Sequence, residues 1–265
     1  MAEVSTHLDA IVAGVREDLK LRRAAVPFEV ISRRAMAVVR RNRLRDSLQA
    51  GRPGIIAEIK RASPSRGWIR PDLDAVATGR AYAEAGASAI SVLTEGRRFG
   101  GSLSDLEAVS AAVPGTPVLR KDFILDEYMI AEARAFGADL VLLMVSVLGE
   151  RTRVMLELAG RYGLDAMVEV HDEAELSVAI GSGAGIIGIN NRNLKTLAVD
   201  LATSERMLPL IPAGIVRVVE SGISSPGEVR HLSGLGADCF LVGETLVKSG
   251  DPGAGIRRLL SLQGH

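Results

Sequence analysis

The sequence predicts an α/β fold, a single (βα)8 TIM barrel with an extra N-terminal helical segment. The chain has 265 residues and 47% hydrophobic content, which fits one barrel of roughly 250 residues. Eight short apolar runs recur about 20 to 35 residues apart with amphipathic stretches between them, as the strands of a parallel sheet do. A doubly wound open sheet alternates similarly but usually has a glycine-rich phosphate loop after its first strand. No Gly-x-Gly-x-x-Gly follows Lys60, so we favour the barrel.

A repeated glycine-alanine motif precedes half of the predicted strands. The motif glycines are Gly86, Gly137, Gly183 and Gly236. Each motif indicates a helix that ends at a glycine in the left-handed conformation and is followed by a short buried strand. A looser fifth copy begins at Tyr162-Gly163, and the other three predicted strands lie at residues 55–60, 118–121 and 215–220.

The helix signals lie between and before these strands. Ser225-Pro-Gly-Glu228 has the composition of a capping box, and Asp251-Pro252 opens the last helix in a similar way. The first 48 residues contain no strand-like run but have apolar residues at helical spacing, namely Leu8, Ile11, Val12, Val15 and Leu19. We expect residues 1–48 to form one or two helices packed on a barrel of residues 49–265. The Gly- and Pro-containing segment 49–54 joins the two parts.

Charge and composition argue against several classes of protein. The 32 basic and 32 acidic residues cancel, so no global field favours nucleic acid or an anionic membrane. The single cysteine, Cys239, rules out an internal disulfide and lies in an apolar run, which favours an inert core position. No run approaches the ~20 apolar residues that span a bilayer, and residues 1–6 lack an export signal. We therefore expect a cytoplasmic protein with small-molecule partners.

The first predicted strand carries charges on one face. Glu58 and Lys60 lie two residues apart and therefore point to the same side, whereas Ile55, Ala57 and Ile59 form an apolar opposite side. Burying an unpaired carboxylate or ammonium costs several kcal/mol, so this pair needs a mutual contact, water or a ligand. The pattern predicts a working site at the end of this strand.

Four later strands end in the same way. Lys121 shares a face with Leu119, Glu169 with Met167, Asn190 with Gly188, and Glu220 with Val218. Because catalytic groups of a barrel come from the C-terminal strand ends, these side chains are expected around one mouth, with Arg192 just beyond. The set is suited to acid/base chemistry and lacks a nucleophilic triad, although structural ion-pair networks also produce such rims.

Glycines after the last two strands predict an anion site. Ser221-Gly222 and Gly243-Glu244-Thr245 lie where barrels present backbone N–H groups to a phosphate, and ordinary turns are the alternative. Since a carboxylate repels a dianion, the Glu244 side chain is expected to point away from the phosphate.

Two loops could close over the mouth. The segment from Arg61 to Trp68 contains Ser63, Pro64 and Ser65, and a second loop carries Phe99. Trp68 and Phe99 could flank an aromatic substrate, but hydrophobic packing explains them equally well. The four histidines, His7, His171, His231 and His265, are scattered without metal-ligand spacing. We expect no metal site, and His171 alone is placed near the rim.

Several motifs resemble those of the indole-3-glycerol-phosphate synthase family, in order and spacing over essentially the whole chain. They are Ile56-Ala-Glu58-Ile-Lys60-Arg-Ala-Ser63-Pro64-Ser65, Thr94-Glu95 with Phe99-Gly-Gly-Ser102, Leu119-Arg-Lys121-Asp122-Phe123, Val168-Glu169-Val, Gly188-Ile-Asn190-Asn-Arg192-Asn-Leu194, Glu220-Ser221-Gly222 and Leu241-Val-Gly243-Glu244. One departure is Gly100, where related sequences often have a larger polar residue.

The resemblance implies a carboxy-lyase that needs no cofactor and acts in tryptophan biosynthesis. The implied reaction closes, decarboxylates and dehydrates 1-(2-carboxyphenylamino)-1-deoxyribulose 5-phosphate, with Lys121 or Lys60 as the first general acid. The implied catalytic residues are Lys121, Glu169, Lys60, Glu58, Asn190 and Glu220. The implied substrate-binding residues are Ser63, Pro64, Phe99, Phe123, Arg192 and Leu194. The implied phosphate-binding residues are Ser221, Gly222, Gly243 and Glu244.

Other functions remain compatible with the same residues. A lysine at a barrel mouth also serves Schiff-base aldolases of sugar phosphates, a barrel could bind phosphorylated ligands without catalysis, and a homologue could serve a secondary indole pathway. The expected ligand is a phosphorylated aromatic amino-sugar, with no nucleic acid or membrane partner. Other enzymes of the tryptophan pathway are candidate protein partners.

Overall fold

The computed structural model describes residues 7–39, 42–194, 196–247 and 251–261. Residues 1–6 and His265, which enter the expectations above, lie outside this range. The strands are β1 Gly54–Ile59, β2 Ala62–Ser63, β3 Gly67–Trp68, β4 Ala89–Leu93, β5 Val118–Lys121, β6 Leu140–Met144, β7 Asp165–Val170, β8 Ile186–Asn190, β9 Val216–Glu220 and β10 Cys239–Val242. Eight of them form a closed parallel barrel in the order β1-β10-β9-β8-β7-β6-β5-β4. The predicted α/β barrel is confirmed.

Helices cover the barrel and fill its connections. The α-helices are α1 His7–Ala25, α2 Phe28–Ala37, α3 Leu44–Ser47, α4 Ala75–Glu84, α5 Gly96–Phe99, α6 Leu103–Ala112, α7 Glu127–Ala135, α8 Val145–Leu148, α9 Thr152–Arg161, α10 Glu173–Gly181, α11 Ala202–Met207, α12 Pro226–Gly234, α13 Glu244–Val247 and α14 Pro252–Leu260. Short 3-10 turns lie at Gly149–Arg151 and Leu208–Leu210. β2 and β3 form a small antiparallel hairpin after β1.

Alternation along the strands separates two apolar clusters. Leu119, Met167 and Val218 belong to the cluster that fills the barrel interior. Val168 and Ile187 belong to the larger cluster between strands and helices. This is the period of two that a pleated strand imposes, and it confirms the predicted faces of the strands.

The predicted helix ends are also confirmed. Gly86, Gly137, Gly183 and Gly236 have φ values between 85 and 104°, the left-handed region that glycine tolerates best. Ser225 and Glu228 form the reciprocal hydrogen bonds of a capping box at the start of α12. The Asp251 side chain accepts backbone hydrogen bonds at the start of α14.

The described residues of the N-terminal segment form three helices, whereas one or two were predicted. The third helix, α3, is a single turn, and its short sequence did not predict its position at the end of the barrel. Leu44 on α3 is fully buried and joins the interior cluster beside the first residues of the strands, such as Ala89 and Cys239. Arg45 donates hydrogen bonds to the carbonyls of Gly185 and Gly214. We call this plugged N-terminal end of the barrel the closed end.

The longer N-terminal helices pack on the outside of the barrel. The Tyr128 hydroxyl on α7 donates to the carbonyls of Arg22 and Val26, and Arg22 Nε lies 2.9 Å from Glu132 Oε1. α2 lies against the same helix. These contacts support the division that we propose, a helical extension of residues 1–48 on a barrel of residues 49–265.

Candidate active site

An open cavity of about 1110 Å³ lies at the C-terminal ends of the strands. Its wall includes most of the residues that the sequence nominated, namely Glu58, Lys60, Phe99, Lys121, Phe123, Glu169, Asn190, Arg192, Leu194, Glu220, Ser221, Gly222, Gly243 and Glu244. Ser63 and Pro64 line a smaller adjoining cavity of about 100 Å³ together with Leu8 and Ile11 of α1. The distant strand ends therefore converge around one mouth, which we call the open end.

Lys121 lies at the centre of the charged rim. Its Nζ is 3.0 Å from Glu169 Oε2, to which it donates a hydrogen bond, and 3.2 Å from Glu220 Oε2. The side chains of Glu169 and Glu220 are almost fully buried. The Lys121 side chain exposes 14% of its surface. One ammonium is thus shared by two carboxyl groups.

Sharing a single cation drives the two carboxyl pKa values apart. Burial alone would raise the pKa of Glu169, but the ammonium of Lys121 and the nearby His171 ring hold it well below its usual range. Burial, together with repulsion from Glu169 and Glu58, raises the pKa of Glu220 to about 7. Burial opposes the charge on Lys121, yet the surrounding carboxylates raise its pKa above its ordinary value. The cluster therefore favours an ammonium on Lys121 and an ionised Glu169, whereas Glu220 is the carboxyl group that retains a proton more readily.

A second ion pair between a lysine and a glutamate lies beside this cluster. Lys60 Nζ is 2.6 Å from Glu58 Oε1, so the strand-end charges found in the sequence do contact each other. A Cβ atom at Gly243 would overlap the Glu58 carboxylate, and one at Gly188 would overlap that of Glu220. These two glycines leave the space that the inward carboxylates occupy, a role for Gly188 that sequence reasoning missed.

Asn190 connects the charged cluster to the predicted anion site. Its Nδ2 donates to Glu169 Oε1 at 3.2 Å, and its Oδ1 accepts from the Ser221 hydroxyl at 2.9 Å and from the Arg192 backbone. Ser221 has a φ of 65°, an uncommon conformation for a residue with a side chain and one often found at functional sites. The amide is therefore fixed in orientation by three partners.

A buried ionic network supports Lys121 from behind. Arg120, the preceding residue, points away from the barrel interior and is 1% exposed. Its guanidinium contacts Asp122, Glu132 and the Thr94 hydroxyl at 2.9 to 3.1 Å. These contacts hold the end of β5, the strand that carries Lys121.

The aromatic wall differs from the expectation. Phe99 and Phe123 face each other with ring centroids 6.2 Å apart, and the Glu95 carboxylate fixes the Phe99 turn by accepting three backbone hydrogen bonds. Trp68 does not line either cavity. It is 64% exposed and lies against Gly100, because a glycine there leaves room for the indole. Trp68 therefore lies outside both cavities, and Phe123 is the aromatic side chain beside Phe99.

The anion region contains charged side chains that the sequence did not nominate. Arg66 Nε, on the turn between β2 and β3, lies 3.3 Å from Glu244 Oε1, and Arg258 of α14 also lines the cavity. Glu244 lines the cavity wall, where its carboxylate pairs with Arg66, and its orientation relative to a phosphate stays a prediction. Ser221, Gly222 and Gly243 follow β9 and β10 as predicted.

The remaining expectations concern metal ions, the membrane and the single cysteine. Within the described part of the chain, no group of three or more His, Cys, Asp or Glu side chains could hold a metal ion. In the same residues no helix has the length and hydropathy of a membrane span. Cys239 is fully buried at the closed end, and burial raises the pKa of its thiol to about 12, so its interpretation as an inert core residue is confirmed.

Sequence comparisons agree on one family. The family model described as indole-3-glycerol phosphate synthase matches residues 8–259. The chain is 45% identical over 259 residues to an indole-3-glycerol phosphate synthase of a Parafrankia species, covering 97% of this chain and 96% of that one. It is 46% identical over 267 residues to the enzyme of the same name from Kineococcus radiotolerans, covering 98% and 97%.

Comparison with solved structures shows the fold. The 3-hexulose-6-phosphate synthase of Salmonella typhimurium superposes with a TM-score of 0.63 at 18% identity, covering 78% of this chain and 96% of that one. The thiamine phosphate pyrophosphorylase of Pyrococcus furiosus superposes with a TM-score of 0.60 at 18% identity, covering 82% and 96%.

Fold and site together define a TIM-barrel enzyme whose rim carries paired lysines and carboxylates beside the turns that follow β9 and β10. With a match across nearly its full length, the chain belongs to the indole-3-glycerol phosphate synthase family. The resemblance seen in the sequence motifs is thereby confirmed.

Proposed function

We propose that the described rim performs the reaction of this family, with Lys121 as its central acid. The enzyme is a decarboxylating carbon–carbon lyase, EC 4.1.1.48, which makes indole-3-glycerol phosphate in tryptophan biosynthesis. Its substrate, 1-(2-carboxyphenylamino)-1-deoxyribulose 5-phosphate, joins a carboxylated ring to a phosphorylated ketose. The observation that supports these roles best is the ammonium of Lys121 between Glu169 and Glu220.

Ring closure requires a proton at the ketose oxygen. The ring carbon that bears the carboxylate attacks the carbonyl carbon, and the carbonyl oxygen gains negative charge. Lys121 is an ammonium because nearby carboxylates raise its pKa. It can still protonate this oxygen, since an alkoxide is a stronger base than an amine. The ammonium also offsets the substrate carboxylate until carbon dioxide leaves and the ring regains aromaticity.

Dehydration requires one group that protonates the departing hydroxyl and another that accepts a proton. Glu169 is ionised because Lys121 and His171 lower its pKa, so we assign it a proton-accepting role, with Glu58 as a second acceptor. Lys60, 2.6 Å from Glu58, is the corresponding donor. Glu220, whose pKa is raised to about 7, can lend a proton to the cluster near neutral pH.

Binding of the substrate uses the remaining wall. Ser221, Gly222, Gly243 and Glu244 would hold the phosphate through the backbone, and Asn190 would orient the sugar hydroxyls. The aromatic ring would lie among Phe99, Phe123, Leu194, Ser63 and Pro64, with Arg192 beside them. The cavities at the open end bring all of these residues together.

The direct test is turnover of the carboxyphenylamino sugar, followed by indole fluorescence. Purified wild-type protein should convert the substrate without an added cofactor. The Glu169→Gln variant keeps the shape of the side chain but cannot accept a proton, so kcat should fall by about 10²-fold or more. Full activity of that variant would contradict the role assigned to Glu169.

A Schiff-base aldolase is the alternative that the sequence left open. A Schiff-base lysine must lose its proton easily, whereas the carboxylates around Lys121 raise its pKa. Borohydride with substrate should therefore leave the protein mass unchanged. A covalent adduct on Lys121 would favour the aldolase.

We infer a cytoplasmic enzyme that meets other enzymes of the tryptophan pathway, because its substrate and product are intermediates of that pathway. Fractionation and affinity capture of the tagged enzyme test both points. A role in a secondary indole pathway would instead show as unchanged growth without tryptophan after gene deletion.

A further inference from the structure

A histidine that the motifs did not include lies directly behind Glu169. His171 follows the last residue of β7 and its side chain is 13% exposed. Its Nδ1 lies 3.0 Å from Glu175 Oε2 on α10, and its backbone N–H donates to the same oxygen at 2.8 Å. Its Nε2 lies 3.2 Å from Glu169 Oε1. The ring thus bridges a carboxylate of the rim and a carboxylate of a surrounding helix.

The two flanking carboxylates favour a positive charge on this ring. A neutral imidazole has one N–H, so it can donate to only one of two flanking carboxylates, whereas an imidazolium donates to both. The Nε2 atom is buried, and its contact with Glu169 is an ion pair that lacks hydrogen-bond alignment. Burial lowers the pKa of His171, but Glu169 and Glu175 outweigh burial and raise it to about 10.

The proposed chemistry explains why a second cation is needed. When Lys121 donates its proton to the substrate, it becomes neutral while Glu169 remains 99% shielded from solvent. A buried carboxylate without a cation would take up a proton and could no longer serve as the base. The other ionisable groups that face this cluster are acidic or already paired, namely Glu220 on β9, Glu58 on β1, Lys60 beside it and Glu175 on α10.

We propose that His171 is a positioning residue that keeps Glu169 ionised and oriented while Lys121 transfers its proton. Glu175 fixes the ring, and the Nε2 side of the ring faces the Glu169 oxygen that Asn190 also contacts. Lys121 donates a hydrogen bond to the other oxygen of Glu169, Oε2. This role rests on the proposed function of the rim, but the charge of the ring can be measured without turnover.

His171→Gln tests the proposal because glutamine can donate a hydrogen bond but carries no charge. We expect kcat to fall about 10-fold or more while KM changes by less than about three-fold. The acid limb of the kcat–pH profile should move to higher pH by about one unit, because Glu169 becomes easier to protonate. A loss of kcat that is equal at every pH, or no loss at all, would refute the proposal.

His231 supplies a matched control. Its Nε2 lies 2.9 Å from Glu205 Oε1, but both side chains are exposed and neither lines the cavities. His231→Gln should keep the wild-type pH profile. A shift equal to that of His171→Gln would show that the effect is not specific to the rim, and would count against the proposal.

Two further measurements decide the question if His171→Gln does not fold. Glu175→Gln leaves the rim intact and should shift the acid limb in the same direction by a smaller amount. Nitrogen NMR of the wild-type protein should show an imidazolium at about pH 8 for the resonance attributable to His171, consistent with its raised pKa. A neutral ring at that pH would refute the inference, whereas failure of wild-type turnover would refute only the proposed function.

Discussion

The two ends of this barrel are built from the same strands but have opposite interiors. At the closed end, Leu44 and the first residues of the strands form a buried apolar plug. At the open end, residues at the C-terminal ends of the strands place Glu169 and Glu220 in contact with Lys121. On β7, for instance, Met167 belongs to the interior apolar cluster and Glu169, two residues later, belongs to the rim.

This contrast teaches that stability and chemistry are separated along each strand. Buried apolar surface at the closed end contributes favourably to folding. The buried charges at the open end cost desolvation energy that their mutual attraction only partly offsets. Substitutions at the two ends should therefore affect different measurements, and four experiments test that separation.

The largest effect is expected for Lys121→Met at the open end. Loss of the proposed acid should lower kcat by about 10²-fold or more, measured by indole fluorescence at saturating substrate. Lys20→Met, at an exposed lysine of α1, is the matched control and should keep wild-type activity. A rate for Lys121→Met within a few-fold of wild type would eliminate the acid role.

Leu44→Ala should have the opposite signature at the closed end. Leu44 is fully buried in the interior cluster, and its truncation leaves a cavity, so the free energy of unfolding should fall by about 2 to 4 kcal/mol. Chemical denaturation measures this loss, and kcat of the folded protein should remain within about two-fold of wild type. Leu21→Ala, at a leucine that is 69% exposed, should leave stability nearly unchanged. A large loss of kcat in Leu44→Ala would show that the two ends are coupled.

Glu220→Gln addresses the energetic cost of the rim. Burial, then repulsion from Glu169 and Glu58, raises the pKa of Glu220 to about 7, compared with about 4.3 in an unfolded chain. Between these values the folded state keeps a proton that the unfolded state releases, so this residue's stabilising contribution is lost as pH rises.

Replacing Glu220 should therefore change the dependence of stability on pH. The free energy of unfolding of Glu220→Gln minus that of wild type should increase by roughly 1 to 3 kcal/mol as the pH rises from about 5 to about 8. Denaturant titrations of both proteins at the two pH values provide the difference. A constant difference across this range would mean that Glu220 does not retain its proton in the folded state.

The smallest effect is expected for Arg45→Ala. The side chain donates to the carbonyls of Gly185 and Gly214 at the closed end, but the residue is exposed. Its removal should lower the free energy of unfolding by about 1 kcal/mol or less, with kcat unchanged. A loss comparable to that of Leu44→Ala would show that the arginine, rather than the apolar plug, stabilises this end.

Strand periodicity explains which features the sequence predicted well. Lys121, Glu169, Asn190 and Glu220 were placed on the interior face because each follows an apolar residue by two positions. Their meeting at one rim followed from the barrel, since parallel strands of a closed sheet end at the same mouth. Both inferences depend only on local patterns and on closure of the sheet.

Other features depend on contacts between distant segments. Arg66 and Arg258 reach the mouth from a hairpin turn and from α14, and no local pattern distinguishes them from other surface arginines. The position of Trp68 is set by the space over Gly100, and that of Leu44 by the interior it fills. His171 was placed near the rim by its position after Glu169, but its second partner, Glu175, becomes visible only when α10 is docked.

Closure of the barrel has a consequence for how the enzyme is synthesised. β1, which carries Glu58, pairs with β4 on one side and with β10 on the other. While the ribosome is still making residues before 239, this strand has an unpaired edge, and exposed edges invite pairing with other chains. The nascent chain therefore cannot complete its open end until β10, Cys239–Val242, has been translated.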